Sequence, residues 1–310
     1  MARGETTREK NEDAYSRRSY LRLAGTTAAT VAGANVAVGR TSAARYETIT
    51  VPAGETKRIT VGDGERFENA LVDQRAEGAS ATIQASGSDW TIRNVGFRGK
   101  CGAKAFGFFS IIPSVSSGGE GLIENVYLGD GTATNSAHEA DPGGIWVNAN
   151  APHEGELTVR NCNVQKYANN GLYASSPGAK HGAGAGGPVK VEQCYCADND
   201  IANVRLGTPG SYVKDSVIEN TGEPVHHPNG PNKRGIWGWY VPIAVENCDV
   251  NVAKHDAVDG GFRGGKVAVE QSRVRGSTSG TVATSSVSND PRTKVPKPVP
   301  QSAEQAARGE

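Results

Sequence analysis

The sequence predicts an all-β solenoid of about eight coils, and three observations carry that expectation. A short pattern recurs along the chain, its copies fall at solenoid spacing, and one position within it alternates in charge. The pattern is plainest at residues 157–164, L-T-V-R-N-C-N-V. An apolar residue, a charged residue and then Asn, Asp or Gln lead into two inward-type positions two apart. The copies are Phe67-Glu68-Asn69-Ala70, Ile92-Arg93-Asn94-Val95, Ile123-Glu124-Asn125-Val126 and Val159-Arg160-Asn161-Cys162. Four more follow: Val191-Glu192-Gln193-Cys194, Val213-Lys214-Asp215-Ser216, Val245-Glu246-Asn247-Cys248 and Val269-Glu270-Gln271-Ser272.

Alternation marks a strand with one buried face. A two-residue polar break that restarts the alternation marks a corner, where the chain turns to keep its apolar face inside. Successive amide or Asp anchors lie 25, 31, 36, 32, 22, 32 and 24 residues apart. Self-similarity on this scale is the signature of repeats that stack to share a core. The charged corner residues Glu68, Arg93, Glu124, Arg160, Glu192, Lys214 and Glu246 alternate in sign, and Glu270 ends the run. Stacked parallel strands put equivalent residues roughly 4.8 Å apart, where opposite charges help and like charges repel. Asn at the corner suits a left-handed backbone position.

The repeat and its asparagine corners resemble the right-handed parallel β-helix of the pectate lyase-like superfamily, over residues 46–278. The resemblance implies three strands per coil, with the recurring corner as the short turn between the second and third. Right-handedness comes from the resemblance and from the preference of parallel crossovers. It also implies polysaccharide binding along one strand face. The family's more specific catalytic marks are missing: no G-H-G with paired Asp, no D-P-H-[DE], no matching calcium-carboxylate cluster or Arg-Pro pattern.

Residues 1–44 read as an export signal. Ser16-Arg17-Arg18-Ser19-Tyr20-Leu21-Arg22 resembles the twin-arginine consensus, followed by an Ala/Gly/Thr/Val run and a small-residue site at Thr41-Ser42-Ala43. The expected product is secreted or held at the cell surface. Residues 45–284 form the β-helix domain, opening on cap strands at 46–61 that block the terminal edge. Residues 285–310, with Val-Pro-Lys-Pro-Val-Pro, read as a disordered tail.

Composition agrees. Gly is 40 of 310 residues, which suits many turns, and Lys+Arg 33 balances Asp+Glu 33, so nothing points to nucleic acid. No later run is long enough to span a membrane. Five cysteines do not make a disulfide framework. Cys162 and Cys194 are expected to stack inside adjacent coils as small hydrophobes. The G-x-G-x-x-G at 182–187 runs into Pro188 rather than a helix, so it is not a dinucleotide fingerprint. The sequence leaves cofactor, metal requirement and oligomeric state open.

A third strand repeats between the corners: Gly107-Phe108-Phe109, Gly144-Ile145-Trp146, Gly171-Leu172-Tyr173, Asn203-Val204-Arg205, Gly235-Ile236-Trp237 and Ala257-Val258-Asp259. With the middle residues inward, Trp146, Tyr173, Arg205, Trp237 and Asp259 form an outward row. The longest loops flank it and carry His138, His181, His226 and His227, while His255-Asp256 arrives on the same side. Flat rings stack on sugars, and loops on a rigid scaffold concentrate binding residues. The substrate-binding candidates are therefore Trp146, Tyr173, Arg205, Trp237 and His181, with polysaccharide as the expected partner. The same row also reads as an aromatic ladder covered by its loops. Acid–base candidates are Arg205, His255, Asp256 and Asp259, with Asp198 and Asp200 in A-D-N-D. Three functions stay open: non-catalytic polysaccharide binding, a lyase or epimerase on acidic glycans, and a structural or adhesion protein.

Overall fold

The computed structural model describes residues 46–103, 107–133, 142–147, 152–175, 184–221 and 233–310. Strands follow in chain order as β1 (Glu47–Thr50), β2 (Thr56–Val61), β3 (Arg66–Asp73), β4 (Ser80–Ala85), β5 (Trp90–Arg98), β6 (Phe109–Pro113) and β7 (Glu120–Leu128). Next come β8 (Gly143–Trp146), β9 (Glu156–Arg160), β10 (Asn163–Gln165), β11 (Leu172–Ala174), β12 (Val189–Glu192), β13 (Tyr195–Ala197) and β14 (Ala202–Leu206). The last are β15 (Tyr212–Lys214), β16 (Val217–Glu219), β17 (Arg234–Trp239), β18 (Pro242–Glu246), β19 (Asp249–Phe262), β20 (Lys266–Glu270), β21 (Arg273–Gly280) and β22 (Val282–Ser285), before a short helix α1 (Ala303–Arg308).

These strands pair in parallel as an unclosed β-solenoid with three rows. The first arm runs through the leading halves of β3, β5 and β7, then β9, β12, β15, β18, β20 and β22. The second arm joins β1 to the trailing halves of β3, β5 and β7, then β10, β13, β16 and the starts of β19 and β21. The third row is β2, β4, β6, β8, β11, β14, β17 and the ends of β19 and β21. Among the described residues, β1 and β2 are the first strands of the second arm and the third row, in full register with β3 and β4.

The corner between the arms has one cause. All eight anchors, Asn69, Asn94, Asn125, Asn161, Gln193, Asp215, Asn247 and Gln271, adopt left-handed backbone with φ between 48° and 55°. Such a residue redirects the chain without a loop, and Asn pays least for it among non-glycines. The side chains also hold one another, Asn94 Nδ2 donating to Asn69 Oδ1 at 2.9 Å and Asn125 Nδ2 to Asn94 Oδ1 at 2.8 Å. Ser286 adds a further corner with φ 55°. The charged positions stack as the alternation requires: Arg93 lies 2.9 Å from Glu68, Arg160 2.7 Å from Glu124 and Lys214 3.6 Å from Glu246.

The core is a narrow aliphatic column. Val72, Phe97, Leu128, Val164, Cys196, Ile218 and Val250 are all buried on the second arm. The inward position just past the corner reads Ala70, Val95 and Val126 in the first three turns, then Cys162, Cys194, Ser216, Cys248 and Ser272. Buried hydroxyls need partners. Here Ser216 Oγ donates to Lys214 O at 2.7 Å and accepts from Cys194 N at 3.0 Å. All five cysteines are free and buried.

Two expectations are corrected. Gly107-Phe108-Phe109 is not a copy of the third strand; the register sets Ile111 opposite Ile145 and Phe109 opposite Gly143. A methyl group on Gly143 would fall 2.1 Å from Phe109 Cε1, so the missing side chain makes room for the ring. Residues 285–310 are not a disordered tail. They continue β22 into an extended strap that packs on the outward face of the second arm, with Val299, Ala303, Ala306 and Ala307 buried.

Candidate functional site

Third-row registers place Trp146 beside Tyr173, Tyr173 beside Arg205, Arg205 beside Trp237 and Trp237 beside Asp259. The row is continuous, but it is not an open face. Trp146, Arg205, Trp237 and Asp259 are each 5–9% exposed, and Tyr173 is the half-buried member.

What buries it is a stack of rings and guanidinium groups. Arg205 Cζ lies 4.5 Å from the Tyr173 ring centre, 4.6 Å from Trp237 and 3.4 Å from Trp239. Arg234 covers Trp237 at 4.0 Å, and its Nε donates to Asp259 Oδ2 at 2.6 Å. Arginine suits this place because its flat, delocalised cation stacks on π faces and sheds water at lower cost than an ammonium. Below Tyr173, Phe109 meets Trp146 at 5.8 Å and Tyr173 at 6.2 Å.

Trp239 and Phe262 complete the cluster, their ring centres 3.8 Å apart. Trp239 shares a face with Trp237 by simple alternation, which a Trp-Gly-Trp spacing signals in the sequence. Phe262 reaches that face only through a bulge. The β17–β19 register shifts after Gly238, pairing Gly238 with Gly260 but Trp239 with Phe262. One extra residue in β19 reverses the side-chain parity, which alternation read along one strand does not reveal. Buried Trp N–H groups ordinarily find an acceptor. Among the described residues, neither Trp237 Nε1 nor Trp239 Nε1 has one.

The acid–base candidates are mostly engaged. Asp256 Oδ1 accepts from Ser277 Oγ at 2.8 Å and Oδ2 from Ser279 Oγ at 3.0 Å. Asp259 is held by Arg234. His255 is half-buried, and its pKa is lowered by that burial and then by the charge of Lys233. Asp198 sits in a left-handed turn with φ 54° and accepts from Thr221 N at 2.8 Å. Asp200 is buried, 3.9 Å from Lys233 Nζ. His181, His138, His226 and His227 lie outside the described residues. Among the described residues, no group of three or more His, Cys, Asp or Glu is placed to hold a metal ion, and no helix is long and apolar enough to cross a membrane.

No family model, curated protein or solved structure matches the chain.

Proposed function

We propose that this protein is an exported, right-handed parallel β-helix of the pectate lyase-like kind, with about eight coils, that binds polysaccharide along its third-strand face. The observation that carries the reading is the row of rings around the Arg205 guanidinium, in which the indole N–H groups of Trp237 and Trp239 meet no acceptor among the described residues. An unsatisfied buried donor costs the free protein about 1–3 kcal/mol. A ligand rich in oxygen acceptors, with flat faces to stack on, recovers that cost. Sugars have both properties, and Tyr173, the half-buried member of the row, is where a sugar ring first stacks.

Binding is favoured over catalysis because the carboxylates of Asp256 and Asp259 are already engaged by serines and by Arg234. Lyase or epimerase action on acidic glycans remains the enzymatic alternative. The near-complete burial of Trp146 and Trp237 favours a second reading, a cell-surface structural or adhesion scaffold whose ladder is its own reason for being.

Trp237→Phe combined with Trp239→Phe separates these readings, since it keeps both rings and removes both donors. The binding reading expects a more stable free protein together with affinity for uronate or neutral polymers reduced about tenfold or more, as two lost hydrogen bonds imply. Polymer binding unchanged by the pair sinks it. No binding to any polymer leaves the scaffold. Absorbance from unsaturated ends during incubation with uronate polymers reveals the lyase.

A further inference from the structure

A solenoid with nearest-neighbour contacts only can fray from either end, because each turn depends on the next. This chain carries one element that breaks the rule. After β22 the strap walks back along the outward row of the second arm. Arg292 N donates to Asp249 Oδ1 at 2.6 Å, and Val295 and Val299 pack on Tyr195, Ala197 and Val217. Asn163 Nδ2 donates to Pro300 O at 2.8 Å. Helix α1 then lands on β3, β5 and β7, where Ala303 and Ala307 pack with Leu71, Tyr46 and Tyr127.

The landing site is built to receive it. Gly96 stands in the outward row between Leu71 and Tyr127. A methyl group there would fall 1.9 Å from Ala303 O, so only glycine admits the helix. Glycine inside a strand often marks such a close backbone approach. Arg98 Nη1 donates to Glu304 Oε1 at 3.0 Å, and Asn125 Nδ2 to Ala306 O at 3.2 Å. Ser302 caps the helix start and Gly309, φ 74°, closes its end. The span also fits. Six strand spacings separate Asp249 from Leu71, roughly 29 Å, and the Pro-rich connection covers about 3.1 Å per residue when extended.

We infer that residues 289–310 are a latch that ties the N-terminal turns to the C-terminal ones and makes the stack unfold as one cooperative unit. Its contacts bridge up to 206 residues of sequence, whereas every strand pairing joins neighbouring turns.

Hydrogen exchange on the full chain, with two variants, tests this. Gly96→Ala displaces α1 from the solenoid side. Ala307→Asp undocks it from the strap side by placing a charge at a fully buried position, and it decides the matter if the first variant fails to fold. The latch expects amides in β3 and β5 to exchange at least about tenfold faster in the variants, while β12, β13, β15 and β16 keep their protection. Freed strap amides with β3 and β5 still protected overturn it. So does an equal loss across every strand, since the stack would then be cooperative without the latch.

Discussion

The guanidinium carbon of Arg205 lies 3.4 Å from the centre of the Trp239 ring, closer than to either of its register neighbours Tyr173 and Trp237. The outward row is therefore not a simple ladder of equivalent positions. It is a ring-lined slot around the Arg205 guanidinium, and Trp239, two residues along from Trp237, closes it.

That slot predicts an unequal response to charge-conserving change. Arg205→Lys keeps the charge but loses the flat face, and an ammonium at this depth is harder to desolvate. The expected loss is about 1–2 kcal/mol of folding stability, read from urea unfolding. An unchanged midpoint would show that the stacking adds nothing.

The corner makes a second prediction. Asn94 holds φ 55° and links Asn69 to Asn125 through its side chain. Asn94→Ala loses both bonds and strains the backbone, for about 2–3 kcal/mol together. Asn94→Gly relieves the strain and loses only the bonds, for about half as much. Equal losses in the two variants would remove the left-handed backbone from the account.

A third prediction concerns acid. His153 is fully buried, its Nδ1 accepting from Val115 N at 3.2 Å. Burial lowers its pKa from 6.5 to about 4, with the carbonyls of Pro188 and Gly187 pulling weakly the other way. The unfolded chain thus binds more protons than the folded one between these values. The neutral imidazole's contribution, about 3 kcal/mol, is complete above pH 6.5 and disappears as pH falls towards 4. His153→Asn keeps an acceptor for Val115 N and does not titrate. Urea midpoints at pH 7 and pH 5 should therefore fall further apart in the parent than in this variant. The same gap in both would assign the acid sensitivity elsewhere.

The strap at residues 289–310 is held by contacts that no pattern along the chain records. Lys294-Val295-Pro296-Lys297-Pro298-Val299 has the composition of an untethered segment, and its partners lie far away in sequence. A clue was present in Gly96, an isolated glycine at a strand position where its neighbours in the row are Leu71 and Tyr127. A glycine reports that something approaches, but not what.

From its residues alone the chain determined the solenoid, the corner positions, the stacked charges and the outward row from Trp146 to Asp259. All of these follow from backbone geometry that repeats: a period of two, a left-handed break and a parallel register carry each position onto its equivalent in the next turn. Only the tertiary structure decided that the row is buried, that the bulge at Gly260 and Gly261 swings Phe262 onto Trp239, and that the last residues fasten back on the first turns. Those outcomes depend on contacts between segments that share no repeat, where shape and desolvation choose the partner and no periodicity along the chain records the choice.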